Sequence, residues 1–395
     1  MNLQTARGGG PGAVLMYHRI VSRSGCWLAA LCFLLGAADS RASSDVCDVC
    51  GGPFGEHIYL FQDKVTGEMK HVCGNCARLS TVCYVCGVPV KSGYKTLSDG
   101  RVICARDAAN VVLDGDDGQR VFDEVETTLN RSLSRFMTFP EGDVAFGMTD
   151  RVNIQELFKF AGNDYTCPNV WGYYQPNRGE ASPGTAHFIF VLSGLPRGAF
   201  RATCAHELTH AWVHENLSAS RLARLSKDTH EGFCELIAYK LACAEGDEAA
   251  KRQILANQYT RGQINLFIAA QERYGFNDVV DWMKYGDDSQ LYPDELERVR
   301  NVTMPRRAAR VSTAPIVYPP APPPPDHLVL KGIFWSANHP AASINGRLLG
   351  PGETARIRLA STNVLIRCVS VTETEAEILQ VDSGAKQVLK FSQAQ

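Results

Sequence analysis

Apolar residues recur along this chain in two rhythms, and the switches between them mark out its elements. Residues 188–192 form an unbroken apolar run that stops at the breaker Gly194-Leu-Pro196, which predicts a buried strand. A helical pattern restarts over residues 200–215, and a second helix begins at Asp228, with Phe233, Ile237 and Leu241 spaced for packing. Upstream, Val121, Phe122, Val125, Leu129, Leu133 and Phe136 follow the spacing of an amphipathic helix. Downstream, residues 260–274 and 277–285 predict two further helices, closed by Gly275 and Gly286 at C-cap positions. The rhythm then turns to alternation in Val364-Leu-Ile-Arg-Cys-Val-Ser-Val371 and Glu377-Ile-Leu-Gln-Val381, with a turn at Asn345-Gly346, which predicts a small β unit. Seven prolines between Pro315 and Pro325 form a stiff spacer ahead of it.

This pattern gives an α+β chain: a leader over residues 1–42, a cysteine-rich module over 45–112, a mainly helical domain with a small sheet over 118–305, a proline linker over 306–326 and a small all-β domain over 327–395. A length of 395 residues with 45% hydrophobic content supports a real core divided among about three units. Forty basic residues against forty-two acidic ones, with no concentrated basic stripe, argue against a nucleic-acid partner.

The chemistry concentrates in His206-Glu-Leu-Thr-His210, followed some twenty residues later by Glu231. On a helix, residues four apart lie one above the other, so His206 and His210 face one point in space. Two imidazoles and a carboxylate are a donor set for zinc, and a catalytic zinc keeps a fourth position for water. Glu231 is the third candidate ligand. Glu207, beside the pair, is the candidate general base: it would take a proton from water attacking a peptide carbonyl and hand it to the leaving amine. Glu235 falls one turn after Glu231 and is placed to orient a ligand histidine. His214 and His230 are read first as packing or hydrogen-bonding residues, and Tyr239 or Tyr285 as candidate oxyanion donors.

A second constellation precedes it. Cys47-x2-Cys50, Cys73-x2-Cys76, Cys83-x2-Cys86 and Cys104-x2-Asp107 are four paired knuckles separated by twenty-two, six and seventeen residues, a spacing suited to two structural zinc ions. Seven cysteines cannot all pair as disulfides, and the eighth position is a carboxylate that also binds zinc. Sequential grouping puts Cys47, Cys50, Cys73 and Cys76 on one ion and Cys83, Cys86, Cys104 and Asp107 on the other; interleaved grouping is the alternative. One catalytic and two structural zincs are thus expected. Of the remaining cysteines, Cys167, Cys204, Cys234, Cys243 and Cys368 are expected to be free and mostly buried.

These residues carry resemblances. His206-Glu-Leu-Thr-His-Ala211 resembles the signature helix of thermolysin-like zinc peptidases, the gluzincin type, which implies Glu231 as third ligand and Glu235 as a histidine brace. Gly194-Leu-Pro-Arg197, Ala205-His-Glu-Leu-Thr-His-Ala-Trp212 and Glu231-Gly-Phe-Cys234 are similar to the plant organ-size-regulating peptidases of the DA-one family, which join LIM-type zinc modules to a zinc peptidase domain. The cysteine knuckles resemble a LIM domain, with Cys73 where a histidine is common. In the tail, Ala342-Ser-Ile-Asn-Gly346 and Gly350-Pro-Gly352 resemble periplasmic homology domains of bacterial secretion and pilus-assembly proteins.

At the N-terminus Arg19 and Arg23 precede the thirteen-residue apolar run 26–38 and then small residues, the layout of a signal peptide. That run is shorter than the roughly 20 residues a membrane span needs. The expectation is an exported, periplasmic or extracellular zinc metallopeptidase acting on protein or peptide substrates, with no stable membrane span. The cysteine module or the β tail would hold a protein partner, and strand 188–192 would pair with extended substrate. Its competitor is a non-catalytic, zinc-stabilised adaptor of the cell envelope.

Overall fold

The computed structural model describes residues 16–17, 46–160, 170–177, 186–257, 260, 262–302, 325–335 and 339–390, which divide into two compact units meeting in sequence at Val111 and Val112. All of the leader except residues 16–17, Cys167 and nearly all of the proline spacer lie outside the described residues.

In the first unit one local device occurs twice. Val-Cys-x-Val-Cys-Gly-x-Pro is present at 46–53 and again at 82–89, each copy closed by an isolated bridge from its valine to its proline. The glycine after each second cysteine, Gly51 and Gly87, takes φ of 70° and 76°, a left-handed conformation that side chains resist. Each knuckle is followed by a hairpin. β1 (Ile58–Gln62) pairs with β2 (Met69–Cys73), and β3 (Tyr94–Thr96) with β4 (Val102–Cys104). In both, the second strand ends on a cysteine from which a one-turn helix departs, α1 (Gly74–Ala77) or α2 (Ala105–Ala108). The fully buried core of the first half is Val72 with Cys47, Cys73 and Cys76, around which only partly buried residues such as Phe54, Tyr59 and Phe61 pack, the situation in which metal ligation can supply the folding free energy.

The second unit begins with α3 (Gly115–Leu133), whose N-cap Asp114 accepts from the backbone N–H groups of Asp116 and Asp117. Val121, Phe122, Val125, Leu129 and Leu133 are buried, as their spacing predicts, whereas Phe136, expected on the same helix, lies past its end and is half-buried. A six-stranded sheet follows, in the order β8-β9-β10-β5-β7-β6: β5 (Val144–Thr149), β6 (Gly172–Pro176), β7 (His187–Leu192), β8 (Leu330–Phe334), β9 (Ala341–Ile344) and β10 (Arg347–Leu349). The run at 188–192 is thus a strand, β7, buried at all six positions. It is parallel to β5 on one side and antiparallel to β6 on the other. With both edges paired it cannot accept a substrate strand, contrary to the expectation; β6 is the strand at this end of the sheet.

α4 (Arg151–Phe160) precedes the edge strand, and α5 (Arg197–Asn216) packs on α7 (Lys227–Glu245) and on β6. The cap of α7 is Ser226, whose hydroxyl accepts from Thr229 N–H at 3.1 Å, rather than Asp228. Between α5 and α7, α6 (Ala219–Arg224) buries Arg221, which donates to the carbonyls of Met283 and Trp282 at the end of α10 (Phe276–Tyr285). α8 (Glu248–Ala256) and α9 (Gln263–Tyr274) complete the set; α9 starts at 263 because Gly262 before it is left-handed, with φ of 85°. Gly275 and Gly286 stand at the predicted C-caps. Trp212, Phe233, Phe267 and Trp282 run as a contiguous aromatic file through α5, α7, α9 and α10, with centroids 5.7–5.9 Å apart.

The tail is all-β, as alternation predicts, but it does not stand apart. β10 pairs with β5 at Arg347 and Phe146, so β8–β10 extend the sheet of the helical unit. Only β11 (Thr354–Arg358), β12 (Asn363–Val371), β13 (Glu375–Gln380) and β14 (Lys386–Lys390) form a sheet of their own. Leu330, Ile344 and Leu349 share one core with Ile357, Ile366 and Ile378. The proline boundary predicts a separate small domain, but β8–β10 pair into the sheet of the helical unit, because a spacer says nothing of which edge the next strand pairs with. Among the described residues no helix is long and apolar enough to cross a membrane.

Candidate metal centres

Three groups of ligand-type side chains converge. In the first unit, Cys47, Cys50, Cys73 and Cys76 form one group and Cys83, Cys86, Cys104 and Asp107 another, the ligand atoms of each within 4.8 Å of one another. This is the sequential grouping. The backbone favours thiolate at selected positions: Cys47 Sγ accepts from the N–H groups of Val49 and Cys73, and Cys83 Sγ from that of Cys104. Burial raises the Cys47 thiol, but these N–H donors outweigh it and bring it down to about 7. The neighbouring Cys86 thiol and the backbone bring Cys83 down to about 6. Asp107 is held ionised against burial by the thiols around it and by Arg106, whose Nε donates to its Oδ1 at 2.9 Å. Six of the eight donors are buried; thiolate is favoured at Cys47 and Cys83, whereas burial and neighbouring thiols or Asp107 push the Cys76, Cys86 and Cys104 thiols up, and clustered sulfur and carboxylate donors of this kind fit zinc.

The third group lies in the second unit. α5 carries His206 and His210 one turn apart, and Glu231 enters from α7. His206 Nε2 is 3.1 Å from His210 Nε2 and 3.1 Å from Glu231 Oε2, and His210 Nε2 is 3.5 Å from that oxygen. A tetrahedron built on zinc bonds of about 2.0–2.2 Å has edges of roughly 3.3–3.6 Å, so the three atoms are nearly spaced to hold one ion. Their side chains retain 12–14% exposure. Burial opposes the charge on His206, yet the Glu231 hydrogen bond and the carboxylates of Glu235 and Glu207 hold its pKa up at about 9. Burial also works against ionised Glu231, and the two histidines overcome it. A site whose ligands lean on one another's charges in this way suits a cation.

Cys234 also lies within ligand reach of the two histidines. Its Sγ is 3.5 Å from His210 Nδ1, the other ring nitrogen, and burial keeps its thiol strongly protonated. Glu231 is therefore the better third donor. Around the group, Glu235 Oε1 stands 3.8 Å from His206 Nδ1 and accepts from Asn257 Nδ2 at 3.1 Å, the bracing position expected of it. His230 Nε2 is 3.2 Å from His210 Nδ1. Burial drives the His230 pKa down to about 3, so the neutral ring can accept the Nδ1 proton of His210 and leave Nε2 free to ligate.

Glu207 is 5% exposed, and burial raises its carboxyl pKa, helped by Glu231 and Glu235. It occupies the space left by a missing side chain: a Cβ on Gly172 would fall 2.1 Å from Glu207 Oε1. Tyr239 instead interacts with Cys243 on its own helix, and Tyr285 lines a cavity at the end of α10 with Asp287 and Arg298. The tyrosine that reaches the group is Tyr174 of β6, stacked on His210. Periodicity could not find Gly172, Tyr174 or Asn257, because each meets the group across a long sequence separation; His230, read from the sequence as a packing or hydrogen-bonding residue, stands within hydrogen-bond distance of His210. Among the other cysteines, Cys204, Cys234 and Cys368 are free and buried, whereas Cys243 is exposed.

No curated protein and no solved structure matches the chain. Residues 181–263, the stretch that carries His206, Glu207, His210, Glu231 and Glu235, match the family model described as DA1-like, Protein DA1, so this segment is similar to that family.

Proposed function

We propose that this chain is a zinc-dependent peptidase of the gluzincin type, with a LIM-like module that holds a protein partner. The observation that carries the reading is the convergence of His206 Nε2, His210 Nε2 and Glu231 Oε2 with a buried carboxylate, Glu207, at the adjacent position of the same helix. Bound there, zinc would lower the pKa of a water towards about 7 and polarise a substrate carbonyl. Glu207 accepts that water's proton at its carboxylate and returns it to the departing amine. Burial raises its pKa, the direction that lets a carboxylate take up a proton more readily. An extended peptide would lie along β6, the strand at that end of the sheet that packs on α5. The LIM-like module would hold its two structural ions through the two groups of four. Export rests on the N-terminal arrangement of basic, apolar and small residues.

The test is Glu207→Gln. It should keep the metal of the His206–His210–Glu231 group and lose peptide hydrolysis by about 100-fold or more, measured on a peptide library. Equal hydrolysis by parent and variant would end the enzymatic reading and leave the adaptor reading in its place.

A further inference from the structure

Tyr174 stands two residues after Gly172 on β6, so both side-chain positions share one face of the strand. On that face Gly172 meets Glu207, and the Tyr174 ring lies flat against His210, with centroids 5.7 Å apart and planes 16° from parallel. The Tyr174 hydroxyl is 3.0 Å from Nδ1 of His187. His187 sits on the neighbouring strand diagonal to Tyr174, since Tyr174 pairs with Ile189 and Pro176 with His187. It is 1% exposed, and its Nε2 is 3.1 Å from Glu215 Oε1. Glu215 belongs to the last turn of α5, the helix that carries His210. The contacts therefore form a closed circuit: His210 on α5, Tyr174 on β6, His187 on β7, and back to α5 at Glu215.

In the Nε2–H tautomer of His187, Glu215 accepts from Nε2–H, which leaves Nδ1 to accept from the Tyr174 hydroxyl. Both nitrogens of a buried imidazole are then satisfied, and the tyrosine ring is held at its far end. The two histidines of the metal group also differ in their support. His206 Nδ1 faces a carboxylate, Glu235, whereas His210 Nδ1 faces the His230 ring and the Cys234 thiol. His210 thus lacks the carboxylate brace that His206 has, and the stacked tyrosine supplies a restraint at its face.

We propose that Tyr174, locked by the His187–Glu215 pair, is a positioning residue that fixes the ring plane of His210 and so aims His210 Nε2 at the metal. This rests on the reading of His210 as a ligand. Filling the core would not require the circuit: a phenylalanine at 174 and a glutamine at 215 fill nearly the same volume.

The experiment uses the full chain with Tyr174→Phe, Tyr174→Leu and Glu215→Gln. Zinc affinity of the His–Glu group is read as the difference from a His206→Ala variant, and its geometry from the d–d bands of cobalt-substituted protein. Tyr174→Phe and Glu215→Gln should each weaken metal binding by about 10-fold, within the range for residues that orient a ligand, and shift the cobalt bands. If Tyr174→Leu fails to fold, the other two variants still decide. The proposal is overturned if parent and both conservative variants bind equally tightly with the same spectrum. If the parent holds no more metal than His206→Ala, the ligand reading fails first and takes this inference with it.

Discussion

At the scale of single residues, the site depends on what is missing as much as on what is present. Gly172 is not in a left-handed turn; it is a glycine because a carboxylate fills the volume its side chain would need. Gly172→Ala should push Glu207 from its place and lower peptide hydrolysis by roughly 100-fold while metal content stays at the parent value. Metal analysis and a peptide assay on the same preparation check both halves, and unchanged hydrolysis would show that Glu207 has room to move. The paired support of the histidines is also a residue-scale fact. The i, i+4 spacing brings His206 and His210 together, whereas Glu235 and His230 supply the different partners behind them.

Among elements, α5 and α7 are the pair whose packing brings the two ligand sets into contact, and Phe233 is the fully buried ring between Trp212 of α5 and Phe267 of α9. Phe233→Ala should cost about 3–5 kcal/mol and lower the melting temperature by roughly 6–20 °C; a loss of under 1 °C in a thermal melt would mean the file is not the spine of the unit. On α3, half-buried Glu126 is pushed up to about 8 by burial and by its acidic neighbours Asp123 and Glu141. A carboxyl whose folded pKa is raised contributes stability that is complete below its ordinary value near 4.5 and is lost as pH rises through about 8. Glu126→Gln, which never ionises, should therefore melt increasingly above the parent as pH goes from 5 to 9. A difference that stays flat across that range would mean Glu126 is solvated in the fold.

For the whole molecule, the tail strands matter because they complete a sheet. Gly147 of β5 lies against Leu348 of β10, with a built Cβ only 3.0 Å from that side chain. Ending the chain at Pro325 would uncover this face and an unpaired strand edge. Such a truncation should aggregate or lose its cooperative melt; a folded product melting like the parent would mean that the tail is an independent cap after all.

What was legible in the sequence is whatever has a short repeat length. Cys-x2-Cys knuckles, histidines one helical turn apart, the apolar stripe of α3 and the glycines ending α9 and α10 are all encoded within a few residues, where backbone geometry fixes who meets whom. Even there the competition was local: Ser226, not Asp228, caps α7, because its hydroxyl reaches the Thr229 N–H. The tertiary structure alone decided that β7 is interior while β6 forms the edge, that residues 347–349 join a strand some two hundred positions earlier, and that Gly172 and Tyr174 meet Glu207 and His210. Those contacts have no period to read, since the free energy that selects them comes from burial and pairing across the folded chain rather than from neighbours along it.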